Sequence, residues 1–252
     1  MGNAAGGRQA PVKAKQKKLL LVVDSNHRDA TCTAVLLQNF GYNSAVVRTA
    51  EEALEFFSIA TPALVVTELV LPGKMNGIDL YEHVKGDPSK PTVPVIVHTK
   101  IASVEVEDYC RRSGCSALVN KPVQIQELFR AVQQALEPTP RENIRIPVLL
   151  PVTVNDAAGS TEHLSMLSDS GCFIRTHHPL APGSRNTVTF LLQDHVIRTD
   201  AVVLYVSDYS RQPGKEPGMG MKFLNLSPLD KDLIQRYIHD HVAPAISPLD
   251  QP

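Results

Sequence analysis

Between Lys18 and Leu136 the chain alternates short, unbroken apolar runs with segments whose apolar residues recur at helical spacing. The runs are LLLVVD (Leu19 to Asp24), SAVV (Ser44 to Val47), ALVVTE (Ala63 to Glu68), VPVIVH (Val93 to His98) and SALVN (Ser116 to Asn120). Unbroken Val/Ile/Leu runs suit parallel strands covered on both faces, where no polar side is needed. The last helical segment sets Ile125, Leu128, Phe129, Val132 and Leu136 on one face. Five strand and helix pairs predict an α/β, doubly wound, five-stranded parallel sheet.

LEPTPRENIRIP (Leu136 to Pro147) interrupts this pattern with three prolines, through which no helix runs unbroken. Beyond it the period becomes two residues, in the short runs IPVLLPVTV, EHLSMLS, GCFIRT, NTVTFLL, HVIRTDAVVLYV and GMGMKFL. The turn signals NDAAGS, APGS and RQPGKEPG separate them, which predicts a small antiparallel all-β barrel. SPLDKDLIQRYIHDHV closes the pattern as a C-terminal helix, with Ser227 as N-cap, Pro228 in the first turn and Asp230 complementing the helix dipole. Its face of Leu229, Leu233, Ile234, Tyr237 and Ile238 is expected to lie on the barrel or on a partner. The expected organisation is a disordered basic tail (1–17), an α/β domain (18–136), a linker (137–145), a barrel with its helix (146–244) and a tail (245–252).

Composition adds exclusions. A hydrophobic fraction of 43% and a charged fraction of 20% are those of a globular chain. A net charge of -1 gives no global field for nucleic acid. Cys32, Cys110, Cys115 and Cys172 lack metal-site spacing and follow no secretory signal, so a reducing cytoplasm is the expected location. No apolar run reaches the ~18 residues of a membrane span. The basic tail carries Arg8, Lys13, Lys15, Lys17 and Lys18 without an acid and reads as a solvated leader.

In a doubly wound sheet, functional groups gather at the carboxyl ends of the strands. That rule selects Asp24 and Ser25 after the first strand, Glu68 after the third, Thr99 after the fourth and Lys121 after the fifth. With VVD, VVTELVLPGKMNG (Val65 to Gly77) and the Lys121-Pro122 pair, residues 18 to 136 resemble a response-regulator receiver domain. The resemblance implies two acids and an aspartate that hold magnesium, the aspartate accepting a phosphoryl group whose oxygens are bound by Thr and Lys. It also implies a Lys-Pro bond that is often cis. Asp24, Thr99 and Lys121 match; Ser25 and Glu68 do not, and Leu118 stands at the family's aromatic switch position. Phosphoryl transfer is largely positioning, so a carboxylate misplaced by ~1 Å costs ~100-fold. Ser25 removes a further hard anionic ligand. Phosphorylation is therefore expected to be absent or very slow, magnesium is not expected, and Glu68 is expected to carry a fixed charge within reach of Lys121. An interaction scaffold needs fewer assumptions than a phosphomimic, because a carboxylate lacks the three phosphoryl oxygens.

Arg141 and Arg145 in RENIR, Ser168 and Gly171 in MLSDSGCFI, and the ending GMGMKFLNLSP together resemble a PilZ domain, the cyclic-di-GMP receptor barrel. The resemblance implies that these four residues bind cyclic di-GMP. Arginine's planar fork suits both phosphates and the paired guanine acceptors, Ser168 would supply a hydroxyl, and Gly171 would let backbone approach. The family pattern begins with Asp or Asn where this chain has Met166, which offers no such polar contact. Leaving that contact unmade costs ~1–3 kcal/mol. Asp169 could replace it only from the opposite side of Ser168.

His177-His178 and the HDH of His239, Asp240 and His241 do not share a face and read as polar surface. No nucleophile turn such as G-x-S-x-G is present, and no enzyme is expected. The reading is a bacterial signalling protein: a cyclic-di-GMP effector whose degenerate receiver docks on an unknown signalling or motility protein. The alternative is a ligand-independent adaptor with both sites degenerate; a phospho-switch is a third reading, opposed by Glu68 and Ser25. A homodimer stays open.

Overall fold

The computed structural model describes residues 17–85, 92–101, 103–157, 162–208 and 216–243. Nearly all of the expected basic tail, the 245–252 tail and parts of the NDAAGS and RQPGKEPG turns lie outside these residues.

The first unit alternates β1 (Leu19–Val23), α1 (His27–Asn39), β2 (Asn43–Val47), α2 (Ala50–Ile59), β3 (Leu64–Thr67), α3 (Gly77–Lys85), β4 (Val95–Thr99), α4 (Val104–Ser113), β5 (Ala117–Asn120) and α5 (Ile125–Leu136). The strands form one parallel sheet in the order β2-β1-β3-β4-β5. Every residue of β3 and β4 is buried, as unbroken apolar runs between two helical layers require. The order reverses at β1, so the carboxyl ends of β1, β3, β4 and β5 share one edge. Lys18 closes the unit: its Nζ donates to the Leu136 carbonyl at 2.8 Å and to Glu137 Oε1 at 3.0 Å, joining the start of β1 to the end of α5.

The second unit is a closed antiparallel barrel in the order β10-β11-β8-β7-β6-β9, with β6 (Ile146–Val154), β7 (His163–Ser168), β8 (Gly171–Arg175), β9 (Arg185–Leu192), β10 (His195–Ser207) and β11 (Gly218–Phe223). In β10, Ile197, Thr199, Ala201 and Val203 are buried between exposed or half-buried neighbours, the period-two pattern of a strand with one wet face. A bulge between Val203 and Tyr205 then exposes Leu204 and Tyr205 in succession.

The closing helix α6 (Pro228–Val242) forms where expected: Ser227 accepts from the Asp230 N–H at 3.0 Å and Pro228 opens the first turn. Its packing differs from expectation. Ile234, Ile238 and Val242 are buried while Leu229 is 57% exposed. The helix falls with the α/β unit, where the Asn39 side-chain amide donates to the Val242 carbonyl at 2.8 Å.

Candidate functional site

The sheet edge brings together three of the five selected side chains. Asp24 follows β1, Glu68 follows β3, and Lys121 follows β5 in the bulge-free register that pairs Thr99 with Asn120. Lys121 Nζ donates to Asp24 Oδ2 and to Glu68 Oε2, each at 2.6 Å. Asp24 Oδ1 accepts from the Asn26 N–H at 2.9 Å, and Glu68 Oε1 accepts from the Leu69 N–H at 2.7 Å. All four carboxylate oxygens therefore already hold a protein donor. Burial works against the Lys121 ammonium, but its hydrogen bonds to Asp24 and Glu68 and their charges outweigh it and raise its pKa. Asp29, in the first turn of α1, adds a third carboxylate 3.3 Å from Nζ.

Thr99 and Ser25 lie at the same edge but outside this cluster. Thr99 is buried and its Oγ1 accepts from the Ile101 N–H at 3.3 Å, while Ser25 is exposed. The Lys121-Pro122 bond is cis. Gly77 packs directly against the Glu68 backbone, since a Cβ there would stand 2.1 Å from the Glu68 carbonyl oxygen. Lys121 Nζ sits between the two strand-end acids, where the resemblance implies a magnesium ion. Among the described residues no group of three or more His, Cys, Asp or Glu side chains could hold a metal ion.

Around the second set of residues, the exposed Arg141 and Arg145 flank buried Ile144. Neither guanidinium makes a hydrogen bond or ion pair among the described residues. The segment is nevertheless anchored at two points. The Arg141 N–H donates to Gln133 Oε1 at 3.2 Å, and Gln133 Nε2 donates to the Tyr42 hydroxyl at 2.8 Å. The Asn143 side chain donates to Ser170 Oγ at 2.8 Å, which lays the arginine segment against the turn between β7 and β8. Burial, with the Glu137 charge adding, pushes the Tyr42 phenol up to about 12, so it stays a neutral hydroxyl in this chain of contacts.

Ser168 ends β7 and is buried; Gly171 begins β8. A Cβ on Gly171 would stand 2.2 Å from the Met221 carbonyl oxygen, so the close approach that glycine permits here is that of β11. Asp169, in the turn between β7 and β8, has its Oδ1 buried without a hydrogen-bond partner. Sequence reasoning missed Asp29, His98, Gln133 and Asn143. Only Asp29 carried a usable signal, as an acid in the first turn of the helix that leaves the catalytic-type sheet edge.

Two family models match this chain in succession: the response regulator receiver domain over residues 20–133 and the PilZ domain over residues 139–240. The chain joins a receiver domain to a PilZ domain. Among curated proteins, the receiver half is 33% identical over 115 residues to an uncharacterized 14.6 kDa protein of Leptolyngbya boryana, covering 46% of this chain and 87% of that protein. It is 25% identical over 119 residues to the polar-differentiation response regulator DivK of Brucella ovis, covering 47% of this chain and 96% of the relative. Among solved structures, a putative response regulator from Chloroflexus aurantiacus is 26% identical with a TM-score of 0.46, covering 48% of this chain and 98% of the other. Within the described residues of this receiver–PilZ chain, no helix is long and apolar enough to cross a membrane.

Proposed function

We propose that this receiver–PilZ protein is a cytoplasmic bacterial effector of cyclic di-GMP whose receiver no longer accepts a phosphoryl group and serves instead as a docking module for a signalling or motility protein. The observation that carries the receiver half of this reading is the full occupation of Asp24 and Glu68 by Lys121 Nζ and two backbone N–H groups. A nucleophilic oxygen has to leave one of these donors before it can attack, and the added methylene of Glu68 displaces it further. The ligand half rests on two guanidiniums that are unpaired among the described residues, on a segment that Gln133 holds at the Arg141 N–H and Asn143 ties to Ser170. Two arginines on an anchored segment lose less freedom on closing over a phosphate than two on a free linker would.

A second reading, a ligand-independent adaptor, is favoured by Met166, which offers no polar contact where the family pattern has Asp or Asn. Calorimetric titration of cyclic di-GMP into the full chain, with Arg141→Ala/Arg145→Ala as control, separates the two. Saturable heat that the control abolishes supports the effector; no heat in either supports the adaptor. Exposure to acetyl phosphate and magnesium, read by intact mass, tests the receiver: a phosphoryl adduct would overturn that half.

A further inference from the structure

A polar chain runs from the receiver's interior to the segment that carries Arg141 and Arg145. Lys18 Nζ donates to Glu137 Oε1 at 3.0 Å, and the Tyr42 hydroxyl donates to the same Glu137 side chain. Gln133 Nε2 donates to the Tyr42 oxygen at 2.8 Å, and Gln133 Oε1 accepts from the Arg141 N–H at 3.2 Å. A main-chain N–H only donates, so the amide oxygen has to face Arg141 and the amide nitrogen has to face Tyr42. Gln133 and Tyr42 are 5% and 7% exposed, so water does not replace a lost partner there. Nearer the start of α5, Gln126 Nε2 adds an exposed contact to the Glu142 carbonyl at 3.0 Å. The arginine segment thus takes its position from α5 and from the turn before β2.

Among the buried residues of α5, Leu128, Phe129, Ala131 and Val132 are apolar and Gln133 alone is polar. A buried amide is tolerated when its partners are in place. Here one partner is the backbone of a residue whose guanidinium is unpaired among the described residues. We propose that Gln133, oriented by Tyr42, is a positioning residue for nucleotide binding: it sets where Arg141 stands, and through it the receiver sets the affinity of the arginine pair. This rests on the cyclic-di-GMP reading above. A segment already held loses less freedom when it closes over a phosphate. A partner that moves α5 against Tyr42 changes nucleotide affinity, and by linkage the nucleotide changes that partner's affinity by the same factor.

The test is calorimetric titration of the full chain with cyclic di-GMP in wild type, Gln133→Met, Tyr42→Phe, Arg141→Ala and the Gln133→Met/Arg141→Ala double variant. Methionine keeps the volume of Gln133 and removes both of its hydrogen bonds. Expected are a loss of about fivefold in Gln133→Met, a smaller loss in Tyr42→Phe, and no further loss when Gln133→Met is added to Arg141→Ala. The last result separates positioning from a general loss of packing, which weakens binding alike in both backgrounds. Without ligand, hydrogen exchange at the Arg141 amide should be slow in wild type and at least about fivefold faster in Gln133→Met. Unchanged affinity in Gln133→Met, equal losses in the two backgrounds, or a fast-exchanging Arg141 amide in wild type overturns the proposal. If Gln133→Met does not fold, Tyr42→Phe, which leaves Gln133 Oε1 on Arg141, carries the measurement, and unchanged affinity there is the overturning result. Absence of saturation in wild type overturns the effector reading and the proposal with it, whereas binding indifferent to Gln133 overturns the proposal alone.

Discussion

Lys121→Met removes the ammonium at the sheet edge while keeping most of the side-chain volume. The Lys121, Asp24 and Glu68 side chains are 2%, 5% and 13% exposed, so the loss follows buried-pair energetics. Removing one partner of a buried pair leaves uncompensated charge and costs about 3–5 kcal/mol, against about 0–1 kcal/mol for an exposed pair. One cation here serves two carboxylates, which places the expectation near 4 kcal/mol, on the order of the same estimate. With a urea slope of about 2 kcal/mol/M, the receiver transition should move down by about 2 M. The assay is urea unfolding of the full chain followed by circular dichroism, in wild type, Lys121→Met, Glu68→Gln and the double variant. Because Glu68→Gln removes one of the stranded charges, the double variant should be more stable than the sum of the two single losses predicts, by at least about 1 kcal/mol. A shift under about 0.5 M in Lys121→Met, or strict additivity, would show that solvent reaches the cluster and would refute the argument.

Acid should destabilise the receiver through His98. Burial holds its pKa down to about 4, so the unfolded chain takes up a proton from about pH 6.5 that the folded one refuses, and stability falls as pH drops across that window. At about 1.4 kcal/mol per unit this amounts to about 3 kcal/mol, and His98→Gln should flatten the slope in pH-dependent urea melts. Gly77→Ala forces a Cβ onto the Glu68 carbonyl oxygen and should cost about 1–3 kcal/mol, seen as a lowered receiver melting temperature. Gly171→Ala should cost the barrel a similar amount by pressing on Met221. Its melting temperature should fall without any ligand present, and an unchanged value would return Gly171 to a purely ligand-facing role.

The sheet and barrel were legible because each run carries its own period. IPVLLPVTV coincides with β6, and the five apolar runs of the first half each overlap one parallel strand. The edge positions of Asp24, Glu68 and Lys121 followed from strand order alone. What could not be read is where polar groups end up when several elements converge. Gln133 stands on a helix face that reads apolar, yet it is buried because the Tyr42 hydroxyl and the Arg141 N–H meet it from distant parts of the chain. His98 reads as the end of a strand and is a buried imidazole. Gly171 reads as ligand clearance, and the structure shows the clearance taken by β11. The packing of α6 depended on which surface presented a complementary face, which no local period records.

The contact of Lys18 with Leu136 and Glu137 puts the entry and exit of the receiver side by side. A module whose ends meet can be spliced into a surface loop of a host protein as readily as appended to its terminus. Such a graft would need only short spacers and would keep β1 and α5 in register. The same adjacency allows the original ends to be joined and the chain reopened elsewhere, yielding a permuted receiver with its sheet edge unchanged.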